Sequence, residues 1–240
     1  MSLPEKKTAL VADKFRVYQS NKLVESSYTM TLNEKRLVMY AASRLDSSKP
    51  PPKGGLINVS ADAFADAFGM ETRHAYSVLA EAVERLYARE IRRYEKGQEV
   101  ESMRWIYHKH YIEGAGQVEL GFSPTVLPHL TQLTREFTGF QLKHISSLNS
   151  FYAFRLYELM AQRKSYGERD FELARLRELF QLDDKYPKVY DFRKYVLDPS
   201  IKEINQHTDL SVSLEPVRTG RNITSFRFLI QQTNQIPLGL

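Results

Sequence analysis

The feature that most constrains the fold is an order of predicted elements that occurs twice. In residues 31–122, helical and β-type patterns follow the order helix, short strand, helix, helix, hairpin, and residues 149–230 repeat it. Two pairs of segments correspond: FADAFGM (64–70) with LRELFQL (176–182), and LVMYAASRL (37–45) with FRLYELMAQR (154–163). A supersecondary unit repeated in this way predicts two tandem copies of one α/β module, joined near residues 123–149.

Local signals place the ends of several elements. Thr31 and Glu34 form a capping-box pair in front of the first apolar helical stripe. The run SSKPPPKGG (47–55) ends that helix, because prolines and glycines cannot continue it. Ser60 is a predicted N-cap, and Gly69 is a predicted helix end. Glycine-containing turns then separate the β-type segments of each hairpin.

Three helices followed by a β-hairpin form the winged-helix variant of the helix-turn-helix. We therefore predict an α+β fold of two tandem winged-helix domains related by an internal repeat. Residues 1–20 are predicted to be a mobile N-terminal segment, residues 21–142 the N-terminal domain and residues 143–240 the C-terminal domain. The pattern alone is equally compatible with a structural α+β domain that binds no nucleic acid.

Composition and missing motifs exclude several classes of protein. The 240 residues contain no cysteine, which rules out a disulfide scaffold, a thiolate metal site and a cysteine nucleophile. The net charge is +5, and no polybasic tail carries it. No apolar stretch is long enough for a membrane span, so a cytoplasmic protein is expected. The chain has no P-loop or hydrolase motif, and we predict no catalytic residue, metal or cofactor.

The helix predicted near residues 188–197 is the first candidate DNA-binding element. At 100° per residue, its apolar residues point to one side and leave the other side polar. The exposed candidates are Lys188, Tyr190, Arg193 and Lys194. An arginine can donate two parallel hydrogen bonds to guanine, so Arg193 is the predicted base-reading residue.

The second candidate element is the turn VRTGRN near the C-terminus. Residues 216–240 contain arginines and no acidic residue. Arg218, Thr219, Arg221 and Asn222 surround a glycine there and combine positive charge with short donors. This combination predicts contacts with DNA phosphates.

In the first module the signal is weaker. The corresponding helix, 72–89, exposes Arg73, His74, Ser77 and Arg85 together with acidic residues. The strand 103–112 alternates aromatic and polar residues and can pair with the edge of a second copy. Trp105, Tyr107 and Tyr111 are therefore the predicted dimer interface, and the first module is the predicted dimer-forming half.

An enzymatic hypothesis rests on His108 and His110. Rolling-circle nickases hold a divalent metal with two histidines around a hydrophobic residue and use a tyrosine nucleophile. Here the middle residue is Lys109, and the simpler interpretation is two histidines on a solvated strand face. A transcriptional repressor and a protein-interaction module are also compatible with the residues described so far.

Residues 15–232 resemble a known family, the iteron-binding replication initiators of theta-replicating plasmids (RepA/RepE type). The resemblance is carried by VYQSNKLVESSYTMTLNEKRLVMYAASRL (17–45) and DFRKYVLDPSIKEINQHTDLSVSLEPVRTGR (191–221). It implies two winged-helix domains in tandem, the first for dimerisation and the second for most base contacts.

The resemblance also implies partners. Monomers would bind repeated double-stranded origin sequences (iterons) to start replication, and homodimers would bind an inverted-repeat operator and repress the protein's own synthesis. A host initiator ATPase and the replicative helicase would be recruited to the origin.

Overall fold

The structure is a computed structural model that describes residues 15–112, 114–182 and 184–233. The helices are α1 Asn21–Val24, α2 Leu32–Ser43, α3 Ala61–Phe68, α4 Thr72–Tyr87, α5 Lys143–Ser146, α6 Phe151–Ala161, α7 Leu173–Leu179, α8 Val189–Phe192 and α9 Asp198–His207. The strands are β1 Arg16–Ser20, β2 Leu56–Ser60, β3 Glu90–Glu95, β4 Gln98–Arg104, β5 Ile106–Ile112, β6 Gln117–Phe122, β7 Phe137–Gln141, β8 Glu168–Glu172, β9 Leu210–Thr219 and β10 Asn222–Gln232. A π-helical turn, Arg193–Leu197, joins α8 to α9.

The predicted caps are present in the first module. Thr31 and Glu34 form a complete capping box at the start of α2. The Ser60 hydroxyl accepts a hydrogen bond from the Ala63 N–H at 3.2 Å and starts α3 directly after β2. Gly69 ends α3 in the left-handed conformation, with φ +62°. These local signals fix the elements before any tertiary contact is considered.

The two modules have the same sheet topology. The first contains an antiparallel sheet in the order β2-β6-β5, and the second an antiparallel sheet in the order β8-β10-β9. Strand β2 leads directly into α3, as β8 leads into α7. The hairpin β5–β6 comes after α4, as β9–β10 comes after α9. Gln181 (φ +47°) occupies the repeat position of Gly69 and is also left-handed. The predicted α+β fold of two repeated winged helices is confirmed.

The prediction that residues 1–20 form a mobile segment is wrong for residues 16–20. These residues form β1, which pairs antiparallel with β7 and buries Val17 and Gln19. The pairing joins segments that are far apart in sequence, so a local sequence pattern does not predict it. Residues 1–14, which complete the predicted mobile segment, and residues 234–240 lie outside the described part of the chain.

The first module contains one hairpin more than predicted. Strands β3 and β4 form a separate two-stranded sheet between α4 and β5, closed by Lys96 and Gly97, both with positive φ. The predicted strand 103–112 is broken at Trp105, which is fully buried with its ring 5.0 Å from that of Tyr28. The prediction that Trp105 contacts a second copy is therefore wrong, because its side chain belongs to the core.

A buried cluster of charged side chains joins α6 to the first module. Glu158 accepts hydrogen bonds from Lys35 at 2.7 Å, Arg155 at 2.8 Å and Gln19 at 2.6 Å. The Tyr28 hydroxyl donates to Glu158 at 3.2 Å and accepts from Lys35 and Arg155 at 2.8 and 2.7 Å. All five residues are fully buried. We call this group the ionic cluster.

The ionic cluster holds two cations against one anion. Arg155 also donates to the backbone carbonyls of Val24 and Ser26 at 3.1 and 2.8 Å, which replace part of its hydration. Burial lowers the pKa of the Lys35 ammonium to about 8, although Glu158 attracts its proton. Burial alone would raise the pKa of Glu158, but the attraction of Lys35 and Arg155 brings it below its ordinary value. Glu158 is therefore the charge on which both cations depend.

We predict that Glu158→Gln lowers the free energy of unfolding by about 3–5 kcal/mol, because it leaves two buried cations without a counter-charge. Urea unfolding followed by circular dichroism measures the change. Glu81→Gln, which removes an exposed partner of Arg85, is the control and should cost less than about 1 kcal/mol. Equal small losses for both variants would contradict the prediction.

Candidate nucleic-acid interface

The third helix of the second module turns two stripes of side chains towards the core, and the two stripes are out of phase. Val189, Phe192 and Val196 form the first stripe; Leu197, Ser200 and Ile204 form the second. In a straight α-helix their mean directions would differ by about 80°. The π-helical turn Arg193–Leu197 has more residues per turn than an α-helix and so reduces the rotation between the stripes. Both stripes therefore face the core. We call α8, the π-turn and α9 together the recognition helix.

The turn before the recognition helix is held from α7. The two terminal nitrogens of Arg177 donate to the backbone carbonyls of Tyr186 at 2.6 Å and Lys185 at 2.7 Å. Tyr186 has a left-handed backbone, with φ +55°, and its ring stacks on that of Tyr195 at 5.8 Å. The Arg177 guanidinium also lies 5.6 Å from the Phe192 ring. These contacts fix where the recognition helix begins.

The structure brings most of the predicted residues of the recognition helix to the surface. Lys188, Tyr190 and Lys194 are exposed. Arg193 is half-buried, and one of its terminal nitrogens lies 3.4 Å from the Asp198 carboxylate. Arg193 is thus held within its own helix, with only part of its guanidinium accessible.

The predicted phosphate-binding turn is the tip of the hairpin β9–β10. Arg218, Thr219, Arg221 and Asn222 are all exposed around Gly220, whose φ of +62° suits a tight turn. Arg218 donates to the Arg221 carbonyl at 3.3 Å, which keeps the two arginines together. We call this tip the second wing.

Most of the predicted DNA-binding cations of these two elements differ from those of the first module in having no carboxylate partner. Within the described ranges, no carboxylate forms an ion pair with Lys188, Lys194, Arg218 or Arg221. Their charge faces solvent, no carboxylate of the described residues neutralises it at ion-pair distance, and it is available to an external anion.

In the first module the predicted cations are already paired. Arg73 lies 2.7 Å from Glu71, and Arg85 lies 2.7 Å from Glu81. His74 and Ser77 are exposed, and the Ser77 hydroxyl donates to the His74 carbonyl. On α4 an external anion must therefore compete with carboxylates.

Strand β5 is one of the two outer strands of the first module's sheet, whose order is β2-β6-β5. Tyr107 is 46% exposed and its hydroxyl donates to the Gly54 carbonyl at 2.8 Å. Tyr111 is half-buried and donates to Glu84 at 2.9 Å; burial and this bond raise its pKa to about 12. Of the three residues predicted at a dimer interface, these two lie on an outer strand that pairs on one side only among the described residues.

The histidines of the enzymatic hypothesis lie on β5. His108 is 3.1 Å from the Glu119 carboxylate, and its ring is 6.5 Å from that of His110. Among the residues that the structure describes, no group of three or more His, Asp or Glu side chains is arranged to hold a metal ion. None of the described helices combines the length and apolar character needed to cross a membrane.

Two features of the interface were not predicted from sequence: the role of Arg177 and the exposure of Tyr195. Tyr195 lies within the π-turn, between the exposed Lys194 and the buried Val196. The signal available in the sequence is the mismatch in phase between the two buried stripes, which appears when a 100° rotation is continued from Val189 to Ile204.

Comparison with known proteins gives consistent matches. The family model described as "Initiator Replication protein, WH1" matches residues 16–161, and "Initiator Rep protein, WH2" matches residues 172–230. An Escherichia coli "Replication initiation protein" is 25% identical over 232 residues, which cover 92% of this chain and 71% of that protein. The "PI protein" of Escherichia coli is 23% identical, covering 91% of this chain and 83% of that protein.

A solved structure shares the fold over nearly the whole chain. It is described as "Crystal structure of Pi initiator protein in complex with iteron DNA". The TM-score is 0.78 at 24% identity, with 93% of this chain and 99% of that chain covered. The arrangement of two winged helices is therefore common to both.

We predict that Arg177→Met loosens the turn before the recognition helix, because two carbonyls lose a charged donor. Trypsin should cleave faster after Lys185 and Lys188, and stability should fall by about 1.5–3 kcal/mol. Arg163→Met, which removes an exposed arginine beside Tyr166, is the control. Cleavage at an unchanged rate would show that Arg177 does not hold the turn.

Proposed function

The chain belongs to the initiator replication protein family, and from this we propose that it starts plasmid replication by binding iterons in double-stranded DNA. The observation that carries the proposal is the set of exposed cations on the recognition helix and the second wing that form no ion pair with a carboxylate among the residues that the structure describes. The Pi protein, which shares the fold, is bound to iteron DNA in its solved structure, and this supports the same ligand here.

The two modules would occupy successive major grooves on one face of the duplex, about one helical turn apart. Lys188, Tyr190, Arg193 and Lys194 of the recognition helix would contact base edges. The second wing, with Arg218, Thr219, Arg221 and Asn222, would hold phosphates. The second module is proposed as the main source of sequence recognition and affinity.

The first module would contribute accessory contacts from α4. Arg73, His74, Ser77 and Arg85 are the proposed residues, and Arg73 and Arg85 would exchange their carboxylate partners for phosphates. This exchange returns less free energy than binding by an unpaired cation, because an existing attraction is lost.

We propose no catalytic residue for this chain. Binding to adjacent repeats would strain a neighbouring A·T-rich segment, whose flexible steps unstack at low cost. A host initiator ATPase would supply further work, and the replicative helicase would load on the opened strands. Because the host initiator ATPase and the replicative helicase would be its partners, the protein would act in the cytoplasm.

The first module is also the proposed dimer-forming half. The edge of β5 would pair with β5 of a second copy, with Tyr107 and Tyr111 at the contact. The dimer, in equilibrium with the monomer, would bind an inverted-repeat operator and repress synthesis of the protein.

For Arg221→Ala we predict uniformly weaker binding to all duplexes and a salt dependence that is flatter by about one unit, because one phosphate contact is lost. Binding to the cognate repeat and to a random duplex is measured across a salt series. Arg93→Ala, at a residue already paired with Glu95 and Glu101, is the control and should leave the slope unchanged. An unchanged slope for Arg221→Ala would remove it from the phosphate contacts.

Arg193→Ala should cost about 1–3 kcal/mol on the cognate repeat and relax the preference at one base pair. Single-base-pair variants of the repeat locate the affected position. Arg193→Lys keeps the charge without the two parallel donors and should not restore the preference. Equal losses on cognate and random duplexes would assign Arg193 to the backbone instead.

Tyr107→Asp should shift the protein from dimer towards monomer, because it places like charges on two apposed strands. Sedimentation equilibrium measures the association. Tyr166→Asp changes another exposed tyrosine, in the second half of the chain, and should leave association unchanged. Undiminished dimerisation of Tyr107→Asp would exclude the β5 edge.

A further inference from the structure

Two tyrosine rings are exposed on the recognition helix beside a lysine. Tyr190 is 69% and Tyr195 53% exposed, so both rings are accessible to a ligand. The Lys194 ammonium lies between them, 5.8 Å from the centre of the Tyr190 ring and 5.2 Å from that of Tyr195. We call these three residues the tyrosine pair and its lysine.

The position of Tyr195 is built by the fold. Tyr195 lies within the π-turn, next to the buried Val196, and its own side chain is exposed. The Tyr186 ring stacks against it with an angle of 28° between the planes, and Arg177 holds the Tyr186 backbone. Tyr195 is therefore an exposed ring with a fixed orientation, and ordering it on a ligand costs little conformational entropy.

A ring presented to the floor of the major groove meets one distinctive apolar group, the 5-methyl of thymine. The other bases present only hydrogen-bonding atoms and ring edges there. An ammonium between two rings can reach O6 and N7 of a guanine next to such a thymine. The chemistry of the tyrosine pair and its lysine thus matches thymines that flank a G·C pair.

We propose that Tyr190 and Tyr195 are specificity-determining residues that contact thymine 5-methyl groups, on either side of the base pair to which Lys194 donates. This inference rests on the proposed function and deepens it. It assigns to the tyrosines the recognition of particular bases, a role that charge alone cannot supply.

The test replaces single thymines by uracil in a duplex that carries one repeat, defined first by footprinting the DNA that flanks the coding sequence. Uracil pairs as thymine does and lacks only the methyl group. Fluorescence anisotropy should show about fourfold weaker binding of the natural protein at one or two positions, the value of one buried methyl group.

Variants connect those positions to the rings. On the thymine duplex Tyr195→Ala should lose at least the fourfold in affinity that uracil costs the natural protein. Uracil at the thymine that Tyr195 contacts should then cause no further loss in this variant. Tyr195→Phe keeps the ring and should keep the sensitivity to uracil. Tyr166→Ala, at a tyrosine that is 71% exposed next to Gly167, is the matched control and should behave as the natural protein.

Several outcomes would overturn the inference. One is equal affinity for every uracil duplex, and another is a Tyr195→Ala variant that stays sensitive at the same positions. A defect of Tyr195→Ala confined to single-stranded DNA would indicate stacking on unpaired bases instead. If the natural protein does not prefer the repeat to a random duplex, the proposed function itself fails. That result is distinct, because it appears before any tyrosine or thymine is changed.

Discussion

The arrangement of the two modules depends on a single buried carboxylate. Glu158 is the only anion of the ionic cluster, and Lys35 and Arg155 both need it, because neither can reach water. Breaking a buried pair costs several kcal/mol, whereas an apolar replacement of the whole group is often neutral. The value of such a cluster is therefore its geometry. It admits one position of α6 against α2, and the second module continues from α6.

The recognition surface depends on the same kind of constraint at smaller scale. Arg177 fixes the turn by two carbonyls, the π-turn sets the rotation of the helix, and Tyr186 orients Tyr195. Groups that must match base edges need to be held in place before DNA arrives, because ordering flexible side chains reduces affinity. The second wing is different: its arginines are exposed at a hairpin tip, and phosphate binding tolerates their movement.

Much of the fold could be predicted because its signals are local. Thr31, Ser60 and Gly69 cap helices through atoms a few residues away, and the repeated order of elements predicted the two winged helices. Pairing of β1 with β7 and burial of Trp105 were missed, because both depend on segments distant in sequence. At the site, sequence identified exposed cations. It did not identify Tyr195, because the π-turn that contains it and the Tyr186 ring that stacks on it have no local sequence pattern.

Rigid attachment of the modules has a consequence for the architecture of the DNA. In the proposed binding mode both modules contact one duplex, and their attachment through α6 and α2 would give the two half-sites one rotational phase along the double helix. An insertion of about five base pairs between the half-sites would turn the second one to the far side of the duplex, and about ten would restore the side that it faces but not its distance. The length of each repeat would then be set by the protein interior, where α6 meets α2.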